Sequence, residues 1–156
     1  MVFELAVDLA AVVRGSATRL LINDRADIAV AAGADGVQLT STSLAVDVVR
    51  EAFGAVMLIG VSTHSLEEVR QAEAGGADFA VFGPVFETPG KPHARGVDQL
   101  TNACTGVASF PVLAIGGIDA GNVSSVLSAG ASGFAAIRAL NDAARFGEII
   151  RKVRNN

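Results

Sequence analysis

The sequence predicts an α/β protein, an incomplete (β/α)₈-type barrel with six parallel strands in sequential order. Three observations lead to this fold class: the composition, the alternation of short apolar runs with longer helical patterns, and an internal repeat. The 156 residues are 51% hydrophobic, include 17 Gly, and have Phe as their only aromatic residue type. This aliphatic composition is typical of parallel strands that are buried on both faces. The length suits a single domain, which we expect to span residues 1–156.

Six short apolar runs alternate with seven helical patterns along the chain. The strands are predicted at Arg19–Ile22, Gly36–Leu39, Met57–Val61, Phe79–Phe82, Val112–Ile115 and Gly133–Ile137. The helices are predicted near Phe3–Val13, Ala26–Ala32, Leu44–Phe53, Leu66–Ala74, Val97–Ala108, Asn122–Ala129 and Asn141–Val153. Strands that alternate with helices of this length indicate βαβ crossovers and therefore a parallel sheet.

Helix start signals support these assignments. Ser65 to Glu68 has the pattern of a capping box, in which a serine hydroxyl and a glutamate satisfy the first amides of a helix. We also expect Ser43 and Asp119 to act as N-caps of the helices that follow them.

A four-residue repeat lies between helix ends and every second strand. Its copies are Gly33–Gly36, Gly76–Phe79 and Gly130–Gly133. We expect each leading glycine to end its helix in the left-handed conformation. The repeating unit is thus a pair of βα modules. Three such pairs are present, whereas a closed eight-stranded barrel has four.

The bulk properties exclude several classes of protein. A formal net charge of −4 and a pI near 5.1, without a Lys/Arg cluster, argue against a nucleic-acid surface. No apolar run is long enough to span a membrane, and Met1–Val13 lacks the features of a signal peptide. The single Cys104 excludes an internal disulfide framework and favours a cytoplasmic location. We interpret Cys104 as a small buried hydrophobe on a helix.

The polar residues that suggest chemistry follow the predicted strands, where parallel barrels place their active sites. They are Asn23 and Asp24 after the first strand, Ser62 and His64 at the third, the loop from Gly83 to about Gly96 after the fourth, Gly116 and Gly117 after the fifth, and Arg138 after the sixth. A Gly-Gly turn before a helix suits a phosphate group. A carboxylate such as Asp24 suits Mg²⁺ together with phosphate oxygens.

Structural explanations stand beside each of these functional ones. Asp24 could cap the following helix, and Gly116-Gly117 could be an ordinary tight turn. His64 could orient the capping segment rather than take part in chemistry. Lys91 in its Pro/Gly loop could be a solvated lysine. The functional interpretation gains weight because all these groups map to one face of one barrel.

Five segments carry a family resemblance: Leu20–Arg25, Gly33–Val37, Gly60–Glu68, Phe82–Pro92 and Ala114–Ile118. Together they resemble the thiamine-phosphate synthase and thiazole tautomerase family, over a region from about Thr18 to Leu140. The resemblance implies a thiamine-biosynthetic transferase that joins hydroxymethylpyrimidine pyrophosphate to thiazole phosphate and releases pyrophosphate.

The resemblance also implies roles for individual residues. Asp24 would bind Mg²⁺, with Asn23 beside it as a substrate ligand. Three residues would be catalytic: Ser62 would hydrogen-bond the pyrophosphate, Thr88 would contact the substrate, and Lys91 would offer positive charge to the leaving group. Thr88 and Lys91 lie in the loop after the fourth strand. The phosphate of the thiazole would lie on Gly116 and Gly117, with Arg138 nearby.

The chain departs from the family pattern at several positions. Ser43 stands where the family has a second Mg²⁺-binding aspartate, Gln38 replaces a histidine, Arg138 replaces a serine near the thiazole phosphate, and Pro84 stands where the tautomerase branch has its catalytic histidine. A Gln-x-Arg-x-Lys cluster on the family's second strand has no counterpart. We therefore expect that the first two strands of the barrel are missing and that the sequence is N-terminally truncated, or that two chains complete each other.

Three functions remain open at this stage: a thiamine-phosphate synthase, a thiazole tautomerase-like enzyme, and a non-catalytic phosphate-binding or assembly protein. In each case phosphorylated small molecules are the expected partners, without nucleic acid or membrane. If the protein is truly 156 residues long, exposed barrel edges would favour self-association.

Overall fold

A computed structural model describes residues 1–90, 93–107 and 109–154. Its strands are β1 (Leu21–Asn23), β2 (Gly36–Leu39), β3 (Leu58–Thr63), β4 (Phe79–Phe82), β5 (Val112–Ile115) and β6 (Gly133–Ala135). Its helices are α1 (Val2–Val13), α2 (Ala26–Ala32), α3 (Val46–Phe53), α4 (Leu66–Ala74), α5 (Gly96–Thr105), α6 (Val123–Ser128) and α7 (Ala143–Arg154).

The six strands form one sheet in the order β1-β2-β3-β4-β5-β6, and every neighbouring pair is parallel. The sheet curls into part of a barrel with helices on its outside, which confirms the predicted fold class. Sequential order is expected, because right-handed crossovers place each successive strand beside the previous one. Parallel order also brings the carboxyl ends of all six strands to one rim.

Side-chain alternation separates the two faces of the sheet. Residues of the helix-facing set, such as Val37, Ile59 and Phe82, have no solvent-exposed surface. They belong to two apolar clusters, one around β2 and β3 and the other around β4 and β5. Burying each such side chain contributes about 1.5–3 kcal/mol. The concave face is more polar, because the strand register places Asn23, Gln38 and Gly60 side by side there.

The predicted glycine conformations of the repeat are confirmed, since Gly33, Gly76 and Gly130 have φ values of 70°, 88° and 94°. Asp35 and Asp78 in the same repeat have a further role. Each carboxylate accepts a backbone amide at or just before the start of a neighbouring strand, from Leu20 before β1 at 2.8 Å and from Ile59 in β3 at 2.7 Å. The repeat therefore ends a helix and also fixes the start of the adjacent strand.

Several predicted element ends are wrong by one to three residues. Strand β6 stops at Ala135 instead of Ile137, because the chain turns there and Asn141 N–H donates to the Ile137 carbonyl at 3.1 Å. Strand β3 runs on to Thr63. The Ser65 cap is confirmed, since its Oγ accepts the Glu68 amide at 3.2 Å.

The predicted caps Ser43 and Asp119 are wrong. The N-caps of α3 and α6 are Ala45 and Asn122, and neither makes a side-chain cap hydrogen bond. Asp119 instead accepts the Gly121 amide at 2.8 Å within the preceding loop. The hydroxyl of Ser43 is engaged at the rim of the barrel, as described below.

Two further features bear on the sequence-based expectations. None of the helices within residues 1–90, 93–107 and 109–154 is long and apolar enough to cross a membrane.

Cys104 is partly buried against the larger apolar cluster, and burial raises the pKa of its thiol. Its surroundings agree with its interpretation as a packing residue.

Candidate functional site

A cavity of about 600 Å³ opens at the carboxyl ends of β3, β4, β5 and β6. The residues that line it include Ser62, His64, Gly83, Pro84, Glu87, Thr88, Ile115, Gly116, Gly117, Asp119, Ala135, Ile137, Arg138 and Arg145. Of the predicted site residues, it brings together Ser62, Thr88, Gly116, Gly117 and Arg138. Asn23 and Asp24 lie at the end of β1, on the other part of the same rim.

Ser62 lies on β3, on the concave face of the sheet. Its neighbour in register on β4 is Val81, which also lines the cavity. The side-chain amide of Gln38, on β2, donates to Ser62 Oγ at 3.0 Å. Ser62 therefore lines the cavity, and its hydroxyl is hydrogen-bonded to the Gln38 amide inside the barrel.

The Gly116-Gly117 turn packs directly against the loop that follows β4. Gly116 and Gly117 have φ values of 102° and 63°, in the region that favours glycine. A Cβ on Gly116 would lie 2.5 Å from the Pro84 Cβ, and one on Gly117 would lie 2.7 Å from the Glu87 carbonyl oxygen. Both glycines are thus required by their conformation and by their close packing, and both line the cavity without a side chain.

The loop after β4 forms part of the cavity wall and packs against the end of β5. Val85 N–H and Phe86 N–H donate to the carbonyls of Ile115 and Gly116 at 2.8 and 3.0 Å. Thr88 Oγ1 donates to the Phe86 carbonyl at 3.2 Å, and its side chain lines the cavity. Lys91, which the sequence predicts beside Thr88, lies outside the described residues.

Two arginines line the end of the cavity beside β6. Arg138 lies in the turn after β6, as predicted, and Arg145 projects from the first turn of α7. Both are exposed, and Arg145 Nε lies 3.9 Å from the Asp142 carboxylate. Sequence reasoning missed Arg145, because nothing in its helical pattern distinguishes it from a solvated arginine. Asp119 and Glu87 are the acidic residues of the lining.

His64 stands at the mouth of the cavity in a fixed orientation. Its Nδ1 makes a short hydrogen bond with the Gly83 carbonyl, and its backbone N–H donates to Glu68 Oε2 at 2.7 Å. Since a carbonyl oxygen only accepts, Nδ1 is the donor of this hydrogen bond, which fixes the orientation of the ring. Pro84, also in the lining, has no group that can transfer a proton.

Asp24 is surrounded by hydroxyl groups at the other part of the rim. Its Oδ1 accepts a short hydrogen bond from Ser43 Oγ and a longer one, at 3.3 Å, from Thr40 Oγ1. Asp24 itself has a left-handed φ of 59°, and its amide donates to the Gln38 carbonyl at 3.0 Å. The site therefore holds one carboxylate, which the loop after β2 binds through hydroxyls.

The oxygen donors around Asp24 fit a magnesium ion. Mg²⁺ is commonly held by one or two carboxylates, with water and substrate phosphates completing the coordination. Asp24 supplies the one carboxylate, and the hydroxyls of Ser43 and Thr40 are neutral oxygens next to it. No group of three or more His, Cys, Asp or Glu side chains suited to a metal occurs in the described part of the chain. A metal here would thus depend on substrate oxygens.

Comparisons with known proteins agree on one family. The family model described as "Thiamine monophosphate synthase" matches residues 1–140. Thiamine-phosphate synthases of Halalkalibacterium halodurans and Chloroflexus aurantiacus are 44% identical over 117 residues and 40% identical over 140 residues. These matches cover 72% and 88% of this chain.

Among solved structures, a thiamine phosphate pyrophosphorylase from Pyrococcus furiosus superposes with a TM-score of 0.88 at 34% identity. The match covers 99% of this chain and 76% of that one. The chain spans 54% and 64% of the lengths of the two curated relatives named above. The motifs at the strand ends, the partial barrel and these matches lead to the same conclusion: the chain belongs to the thiamine monophosphate synthase family.

Proposed function

We propose that this protein acts in thiamine biosynthesis as a thiamine-phosphate synthase. The observation that carries the proposal is the cavity at the strand carboxyl ends, where Ser62, Thr88, the Gly116-Gly117 turn and Arg138 meet. Hydroxyls, bare backbone and a guanidinium are the groups that bind phosphorylated molecules. The family membership supplies the choice of substrates.

The proposed reaction transfers the methylene carbon attached to the pyrimidine ring from the pyrophosphate oxygen to the thiazole nitrogen. The bond between the methylene carbon of hydroxymethylpyrimidine pyrophosphate and its bridging oxygen breaks, and its electron pair leaves with the pyrophosphate. The ring nitrogen of thiazole phosphate then donates its lone pair to that carbon, which gives thiamine phosphate. A site for this reaction must stabilise the departing anion and exclude water from the cationic carbon.

The thiazole phosphate occupies the end of the cavity beside β6. The Gly116-Gly117 turn faces its phosphate, and Arg138 supplies the positive charge. Arg145 adds a second guanidinium to the same end. Arginines suit this task, because their fork of N–H donors matches the oxygens of a phosphate.

The pyrophosphate occupies the part of the rim between β1 and β4. The Ser62 hydroxyl donates to one of its oxygens, Thr88 contacts the substrate from the loop after β4, and Lys91 brings positive charge. Asn23, at the end of β1, lies beside the pyrophosphate. Mg²⁺, held by Asp24 next to Ser43, would neutralise charge on the pyrophosphate oxygens when bound.

The cellular location and the self-association of the protein belong to the same proposal. The protein works in the cytoplasm on phosphorylated small molecules. We also propose that it self-associates through β1 and β6, which lie at the two edges of the described sheet.

A coupling assay tests the proposed function. Purified protein is incubated with hydroxymethylpyrimidine pyrophosphate, thiazole phosphate and Mg²⁺, and thiamine phosphate is quantified after oxidation to a fluorescent product. We expect formation of thiamine phosphate that Ser62→Ala reduces. If neither substrate binds in calorimetry, the proposal is wrong. Binding of thiazole phosphate without turnover, even with added pyrimidine substrate, would favour the non-catalytic phosphate-binding alternative.

A further inference from the structure

We infer that Gln38 is a positioning residue that orients the hydroxyl of Ser62 toward the bound anion. Gln38 does not line the cavity, but its side chain lies directly below a residue that does. The inference rests on the proposed function, because it concerns how Ser62 serves the pyrophosphate.

The surroundings of the Gln38 amide define which end faces Ser62. Nε2 lies 3.0 Å from Ser62 Oγ and 3.5 Å from the Leu39 carbonyl oxygen. The amide nitrogen, which only donates, thus lies on the side of Ser62 and makes its shorter contact with Ser62 Oγ. The other end, Oε1, lies over Gly60, where a Cβ would be only 2.4 Å away. Gly60 thus leaves the space in which the amide lies.

This arrangement decides what Ser62 can offer to a ligand. A hydroxyl has one proton to donate and two lone pairs with which to accept. Because Gln38 donates to Ser62 Oγ, a lone pair is used inside the barrel and the proton is free for the cavity. An anion needs donors and is repelled by lone pairs, so the amide selects the useful orientation of the hydroxyl.

A double-mutant cycle tests the inference, with inorganic pyrophosphate and Mg²⁺ as the probe in calorimetry. Gln38→Met removes the donor without adding charge, and we expect binding to weaken several-fold, because the Ser62 hydroxyl can then rotate. Gln38→Glu keeps the shape of the side chain, but its carboxylate only accepts hydrogen bonds. It should therefore draw the Ser62 hydroxyl proton away from the cavity and weaken pyrophosphate binding by about tenfold or more. The matched control is Gln71→Glu on the exposed face of α4, which should leave binding unchanged.

The cycle distinguishes positioning from a general structural effect. In a Ser62→Ala background, Gln38→Met should cause no further loss, since the effect acts through the missing hydroxyl. An equal loss in both backgrounds would overturn the inference while leaving the proposed function intact. If the parent protein does not bind pyrophosphate, the proposed function fails instead.

A measurement without ligand keeps the hydrogen bond itself testable. In NMR spectra, Ser62→Ala should shift the side-chain NH₂ resonances of Gln38 and leave those of Gln71 in place. Unchanged Gln38 resonances would contradict the inference even if binding behaved as expected.

Discussion

Asp24 lies where the sequence predicts it, whereas its hydrogen-bond partner Ser43 does not cap a helix as predicted. The sequence predicts a carboxylate after the first strand, and the structure places it at the rim as expected. Ser43 was predicted to cap a helix, but it hydrogen-bonds to Asp24 instead. The hydroxyl therefore stands beside the carboxylate, close to where the family has a second aspartate. This proximity allows the proposed metal site to be tested by substitution of Ser43.

The first prediction concerns that metal site. Ser43→Asp should tighten Mg²⁺ binding in the presence of pyrophosphate, because a second carboxylate adds charge to the oxygen donors. Asp24→Asn should abolish Mg²⁺-dependent binding. Calorimetric titration of Mg²⁺ at constant pyrophosphate measures both, with Leu44→Asp at an exposed position of the same loop as a control for negative charge alone. Equal affinities for Ser43→Asp and the parent would show that position 43 does not face the ion.

The second prediction concerns the arginine after β6. Arg138→Ala should weaken the binding of thiazole phosphate by about 1.5 kcal/mol or more, roughly tenfold, because a charge-assisted hydrogen bond is lost. Calorimetry at fixed salt measures the change, and Arg70→Ala on exposed α4 is the matched control. The role of Arg138 is refuted if both variants bind as tightly as the parent.

At the scale of elements, the repeat shows how a local pattern is used twice. The glycine was predicted to end each helix, and its positive φ confirms this. The aspartate that follows was not assigned a role, because its partner amides lie on a neighbouring strand. Asp78 accepts from Ile59 N–H and pairs with Arg50 Nη2, both at 2.7 Å. Arg50 in turn donates to the Met57 carbonyl, so α3, β3 and β4 are joined at this end.

The third prediction tests that junction. Asp78→Ala should lower the free energy of unfolding by about 1–3 kcal/mol, because the Ile59 amide and the Arg50 guanidinium lose their acceptor. Urea denaturation followed by circular dichroism measures the loss. Asp98→Ala in the first turn of α5 serves as a comparison away from the junction. A loss below about 0.5 kcal/mol, the usual range for surface substitutions, would show that water replaces these contacts.

The fourth prediction concerns the pH dependence that Asp35 brings to the fold. The hydrogen bond from Leu20 N–H, followed by that from Arg19, lowers the pKa of Asp35 below its ordinary 3.8. A lowered pKa in the folded state stabilises the protein above the ordinary value, and this contribution is lost as pH falls through the lower one. Asp35→Asn keeps an acceptor for Leu20 but removes the titration.

Urea denaturation at a series of pH values checks this expectation. Between about pH 5 and pH 2, the free energy of unfolding should fall less in Asp35→Asn than in the parent protein. Asp47→Asn on the exposed face of α3 is the matched control, because it leaves both Asp35 contacts in place. Parallel curves for the parent and Asp35→Asn would contradict the assignment.

The last prediction belongs to the whole molecule. The described residues provide two arginines at one end of the cavity, but Asp24 is the one carboxylate beside Ser43 and Thr40 at the β1 part of the rim, and the sequence has no Gln-x-Arg-x-Lys cluster. We therefore expect the 156-residue chain to bind thiazole phosphate yet to form thiamine phosphate slowly. Removing even one preorganised electrostatic group commonly costs about 10²–10³ in rate.

Two measurements address this expectation. The coupling assay gives turnover, and light scattering during gel filtration gives the mass of the particle. We expect association, because β1 and β6 lie at the edges of the described sheet. Extension of the chain with two strands that carry the Gln-x-Arg-x-Lys cluster should raise turnover and give a uniform particle. A monomer of 156 residues with rapid Mg²⁺-dependent synthesis would show that this site needs fewer groups than we propose.

The fold could be predicted from the sequence because its signals are local. Apolar runs, glycine helix ends and the Ser65 cap depend on neighbours within a few residues, so element type and order were confirmed while some ends were wrong. Parallel order then placed the polar strand ends at one rim. Other contacts are not local. Ser43 and Asp24 are 19 positions apart, and Gln38 and Ser62 are 24 positions apart. Arg145 lines the cavity from a different element than the strands that form it. Only the curl of the sheet decides such contacts, because it sets the distances between side chains of different strands.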